Sequence, residues 1–181
     1  MGWIVLVVIV LLVLFVVGLY NGLVTARNGY KNAFAQIDVQ LTRRHDLIPN
    51  LVETVKGYAA HEKGTLDAVV QARNAAMTAS TPVAAAQAEN QVTGALRQLF
   101  ALSEAYPDLK ANQNFLSLQE ELSATEGRVA YARQFYNDAV LTYNTGIQKF
   151  PASVIANRMS FKPREYFEAE EGSRDTPTVQ F

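Results

Sequence analysis

From Trp3 to Tyr20 the chain carries no charged side chain, and none appears until Arg27. At a rise of about 1.5 Å per residue, roughly 20 apolar residues make a helix of about 30 Å, the thickness of a bilayer's hydrocarbon core. The Val and Ile content would suit a strand. In lipid, however, only a helix or a closed barrel satisfies its own backbone groups, and an uninterrupted strand of this length is improbable. Trp3 and Tyr20 stand at the two ends, where amphipathic rings favour the headgroup level, and are read as membrane-interface anchors. A cleavable leader would need a basic start, a shorter apolar core and a small-residue cleavage site. No Lys or Arg precedes the run, and Gly18 to Gly22 offers no A-x-A pattern. Residues 1–26 are therefore expected to form a retained transmembrane anchor.

Beyond the anchor there is room for one domain of ordinary size, expected over residues 27–167. The net charge of −1 gives no overall basic field to recruit nucleic acid, so no nucleic-acid partner is expected. Cysteine is absent, which removes disulfides, thiolate zinc sites, a Cys nucleophile and a lipid-bearing cysteine. Arg27 and Lys31 follow the run and nothing basic but the α-amino group precedes it. The positive-inside rule then places the N-terminus outside and the domain in the cytoplasm, on the inner membrane.

No strand alternation or hairpin signal occurs, and the expected class is all-α, a long-helix antiparallel bundle behind the anchor. Phe34, Ile37, Leu41, Ile48, Leu51, Val55 and Tyr58 step by threes and fours, except where Arg44 or His45 takes a turn on the stripe. Pro49 lies inside this pattern and predicts a kink. Leu66, Val69, Val70, Arg73 and Met77 resume the spacing after Gly57 and Gly64. Residues 27–77 are read as one bent helix or two nearly collinear ones. Thr81 and Pro82 suit an N-cap and first helical position, and Tyr106-Pro107 stops that next helix. Asn112 or Asn114 can cap a third helix with the cleanest stripe: Phe115, Leu118, Leu122, Thr125, Val129, Ala132, Tyr136, Val140, Tyr143 and Ile147, about nine turns. Tyr131, Tyr136 and Tyr143 are read as core rings with hydroxyls at the edge. A short helix through Val154 and Ile155 follows, then an irregular aromatic segment, Phe161 to Phe167. The acidic residues 168–181 are expected to be disordered.

The chain closely resembles the bacterial LemA family over nearly its whole length. The likeness rests on Leu19-Tyr-Asn-Gly-Leu-Val24, Ala35-Gln-Ile-Asp-Val-Gln-Leu41, the stretch Arg43 to Tyr58, Glu104 to Asn112, Phe135-Tyr-Asn-Asp-Ala139 and Phe161 to Phe167. It implies an N-terminal anchor and an antiparallel helical bundle, and no established biochemical activity. Some members of that family carry a lipid-bearing cysteine near the position of Leu19, which this chain lacks.

Little of the chain looks catalytic, and no catalytic, cofactor or metal residue is assigned. His61-Glu62 opens like a zincin motif but lacks the second histidine one turn on. His45 and His61 are read as polar residues at a helix surface or kink. Glu120 and Glu121 are read as a solvated face. Local rules break at the expected Pro49 bend, so Arg43, Arg44, His45, Asp46, Pro49 and Asn50 form the candidate interaction surface; for Arg44 and Asn50, close to the apolar stripe, burial with partners is the equal alternative. The expected function is a membrane-tethered scaffold, not an enzyme, that self-associates as a homo-oligomer or binds another membrane protein, with membrane lipid around its anchor. The alternative, implied by the family resemblance alone, is an accessory partner of an envelope protease or stress pathway.

Overall fold

The apolar run and the first amphipathic stripe join without a break into one helix, α1 (Gly2–Lys56), because no proline and only the scattered Gly22 and Gly29 lie between them. Its first turns expose their side chains, and the helix is long and apolar enough to cross a membrane. The computed structural model describes residues 1–167; the acidic tail, expected to be disordered, lies outside the described residues. The remaining helices are α2 (Lys63–Thr78), α3 (Pro82–Ser103), α4 (Pro107–Lys110), α5 (Gln113–Gln148) and α6 (Ala152–Arg158). No strand occurs among the described residues. The contacts divide the described residues into two compact units, one of residues 1–37 and 132–166, the other of residues 38–131 with Phe167.

In the second unit α1 does not run on collinearly into α2, which corrects the expectation. Residues 57–62 leave the helix, and α2 folds back along α1 so that Arg73 reaches the His45 carbonyl. Gly57 and Gly64 each weaken a helix by about 1 kcal/mol relative to Ala, but burial decides the matter. Collinear, Leu66 and Val69 would face water. Folded back, they enter one apolar cluster with Ile48, Leu51, Val55, Val92, Leu96, Leu99, Leu109, Phe115 and Leu122. Burying each large aliphatic side chain is worth roughly 1.5–3 kcal/mol. α3 starts where Thr81 Oγ1 accepts the Ala84 N–H at 3.2 Å, with Pro82 at the first helical position. It ends at Ser103, one turn before Tyr106, and Pro107 opens the single turn α4. Asn112, not Asn114, caps α5: its Oδ1 accepts the Phe115 N–H at 3.0 Å and its Nδ2 donates to the Tyr58 hydroxyl at 2.8 Å. These contacts make the unit an up-down-up-down bundle of α1, α2, α3 and α5.

The first unit pairs α1 with α5 in antiparallel sense. Tyr30 meets Tyr143 at 4.9 Å between ring centroids, and Phe34 meets Tyr136 edge-on at 5.6 Å. The irregular segment after α6 is strapped to α5 through its backbone. Tyr136 and Tyr143 donate their hydroxyls to the carbonyls of Glu165 and Lys162, each at 3.0 Å. The Asn144 amide bonds both the N–H and the carbonyl of Arg164, at 2.9 Å each. Burial, followed by the neighbouring Tyr30, raises both phenols above the usual tyrosine range, so they remain hydrogen-bond donors. Tyr131 departs from the expected core path and is 74% exposed. The buried stripe steps Val129, Ala132, Tyr136, and a residue five before Tyr136 falls off that face.

Candidate functional site

The candidate segment Arg43 to Asn50 is a helix, so neighbours in sequence point in different directions. Arg43, Asp46, Pro49 and Asn50 face outward, while Arg44 and His45 are buried. Arg44 and His45 are therefore not exposed members of the expected interaction surface, and His45, read as a polar residue at a helix surface or kink, is buried on the stripe. His61 is exposed. The turn between Leu41 and Ile48 on the buried stripe is filled by these two polar side chains because a partner on α3 bonds both of them there.

That partner is Glu89, itself 1% exposed. Arg44 Nη1 donates to Glu89 Oε2 at 3.0 Å, and His45 Nε2 lies 2.6 Å from Glu89 Oε1. Arg44 Nη2 donates to Thr93 Oγ1 at 2.8 Å. Both carboxylate oxygens are thus engaged. A buried carboxylate and guanidinium are each costly alone, by several kcal/mol, and persist only as a well-bonded set. The set fixes the register of α3 on α1, since sliding either helix by one residue would strand all the charges. Glu89 and Thr93 were not identified from sequence. A signal was nevertheless available: Ala85, Glu89, Val92, Leu96 and Leu99 form a three-four stripe, with an acid where an aliphatic residue belongs.

The carbonyl that Pro49 leaves without a helical donor is that of His45, four residues back. Neither Asn50 nor the neighbouring arginines of the same segment satisfies it. Arg73 of α2 does, through Nε at 2.7 Å. Proline in α1 and arginine in α2 are therefore complementary parts of one contact, and the helix continues through Pro49 to Lys56. Replacing Arg73 with Ala is expected to cost about 1 kcal/mol, the low end of the penalty for an unsatisfied acceptor, because the bond is part-buried. In a Pro49→Ala background the restored N–H reaches the same carbonyl, and the cost of losing Arg73 should shrink by roughly 0.5 kcal/mol or more. A double-mutant cycle by chemical denaturation reads this coupling; strictly additive losses would refute it.

The exposed charges behave differently. Arg43 pairs with Glu121 on the bundle surface, both partly in water, and Glu120 is exposed. Beside the buried network lies a cavity of about 170 Å³, walled by Leu96, Phe100 and Leu122 with Gln119 and Ser123. Arg44 and Thr93 reach its lining, and Arg44 Nε makes no hydrogen bond within the protein. A water needs about 30 Å³, so the space suffices to solvate that nitrogen. With Glu89 bound at both oxygens, the cluster offers no free base beside a nucleophile. Among the described residues no group of three or more His, Cys, Asp or Glu is placed to hold a metal ion.

Comparison with known proteins identifies relatives over most of the chain. The sequence profile of the LemA family matches residues 33–181. Protein LemA of Metamycoplasma hominis is 28% identical, over 87% of this chain and 73% of that protein. The magnetosome protein MamQ of Magnetospirillum gryphiswaldense is 27% identical, over 88% of this chain and 68% of its own length. A magnetosome protein MamQ of Paramagnetospirillum magneticum matches with the same identity and coverage. None of these names denotes a reaction.

Proposed function

The chain belongs to the LemA family, and from that premise we propose that it is a single-pass, membrane-anchored helical scaffold acting through self-association and protein contacts. The observation that supports this most directly is an open apolar groove between α1 and α5 in the first unit. It has a volume of about 260 Å³ and is lined by Ala26, Gly29, Phe135, Asp138, Ala139 and Thr142. Phe135 is 46% exposed there, although it is a large ring beside a helix that could have covered it. Gly18, Gly22, Ala26 and Gly29 share one face of α1 by their spacing, and a Cβ added at any of the three glycines would meet open space. Small residues on a membrane helix allow a second helix to approach backbone to backbone. In this reading the anchor lies in the inner membrane and the bundle faces the cytoplasm, in keeping with Arg27 and Lys31.

The groove predicts that detergent-extracted protein is larger than a monomer. Gly29→Leu has room on its own helix but would block a neighbour, and Phe135→Asp would place a charge in the contact. Either change should reduce the extracted species to a monomer in crosslinking and size measurements while helicity is retained. An unchanged size for both variants, or a monomeric unsubstituted chain, would overturn the reading.

A further inference from the structure

The end of the first unit nearest the apolar run carries a feature that the anchor alone does not explain. Phe161 is buried against Tyr20, with ring centroids 6.0 Å apart, and the Arg27 guanidinium lies 5.3 Å from its ring centre. The Phe161 N–H bonds the Ala156 carbonyl at 3.0 Å, which ties α6 to the same place. A Cβ at Gly146 would lie 3.7 Å from Leu23, so the last turn of α5 is level with the residues just beyond Tyr20. From Tyr20 to Arg27 a helix rises about 10 Å. The polar layer on each side of a bilayer is about 5–8 Å deep. The turn from Lys149 into α6 therefore falls at headgroup depth.

The side chains there suit that location. Phe150 is 83% exposed, Val154 62% and Met159 56%. In residues 1–31 and 145–166 the charged side chains are Arg27, Lys31, Lys149, Arg158, Lys162 and Arg164, opposed by Glu165 alone. Exposed apolar groups interleaved with cations match a surface of anionic headgroups above acyl chains.

We propose that α6 and its flanks form a second membrane contact, in which Phe150, Val154 and Met159 enter the interface and Lys149, Arg158 and Lys162 engage anionic phospholipid headgroups. The contact rests on the reading that the run before Arg27 spans the bilayer. It clamps the membrane end of the first unit and fixes its tilt, where the helix alone would leave it free to rock. The occupant is the bilayer surface because the patch is continuous with the span and its charge is complementary to anionic lipid.

The absence of cysteine allows single labels in the full chain. Val154→Cys and Leu12→Cys, each carrying an environment-sensitive fluorophore, are reconstituted into vesicles of phosphatidylcholine alone or mixed with phosphatidylglycerol. The position-154 label should shift to the blue and be quenched by lipids bearing a shallow quencher when phosphatidylglycerol is present. Each of the changes Lys149→Ser, Arg158→Ser and Lys162→Ser should lower the docked-to-free ratio about fivefold, and salt should weaken docking. A label at 154 that stays in water while the label at 12 is shifted to the blue overturns the second contact and leaves the anchor standing. Both labels in water would sink the anchor reading as well. A position-154 label shielded equally in both lipids and insensitive to salt overturns headgroup recognition in favour of an apolar protein contact.

Discussion

Replacing Glu89 with Ala is expected to destabilise the bundle by about 3–5 kcal/mol, the cost of leaving a buried partner charge uncompensated. Arg44 is 2% exposed, so without Glu89 its charge stays buried with no carboxylate partner. By contrast, Glu121→Ala removes the surface partner of Arg43 and should cost less than about 1 kcal/mol, since both side chains are partly solvated. Substituting the whole set with apolar residues, Arg44→Met, His45→Leu and Glu89→Leu together, should recover much of the loss, because no charge then remains to desolvate. Chemical denaturation followed by helical circular dichroism ranks the variants. Equal losses for Glu89→Ala and Glu121→Ala would show that Arg44 escapes to solvent and that the network does not set the register.

Tyr136→Ala should cost about 3–5 kcal/mol, the range for removing a buried aromatic ring. The ring is buried against Phe34, and its hydroxyl holds the Glu165 carbonyl. Two further variants separate these contributions. Tyr136→Phe keeps the ring and loses one hydrogen bond, worth roughly 0.5–1.5 kcal/mol. Tyr131→Ala alters a ring that is mostly in water and should stay within about 0.5 kcal/mol. A larger loss at Tyr131 than at Tyr136 in the same denaturation series would mean that the stripe of α5 is not the packed face.

Much of the helical architecture was legible because helix periodicity is a local signal. Every residue of the α5 stripe from Phe115 to Ile147 is buried except Leu118, which is partly so. Thr81, Pro82 and Asn112 act as their types predict, since a cap depends on one side chain and the N–H groups within a turn of it. At Pro49 an unmet carbonyl was legible, but not its remedy. The donor, Arg73, lies in another helix, and distance along the chain does not reveal it.

The chain by itself determined the apolar helix before Arg27, the all-α class, the places where most helices begin and end, and the buried face of α5. All of these follow from side-chain spacing and backbone rules that act within a few turns. The tertiary structure alone decided that α2 folds back on α1, that Arg44 and His45 both turn inward, and that Glu89 is the partner they share. A buried charge is tolerated only where another helix delivers its partner at about 3 Å. That meeting is fixed by packing across the bundle, for which no single helix carries the information.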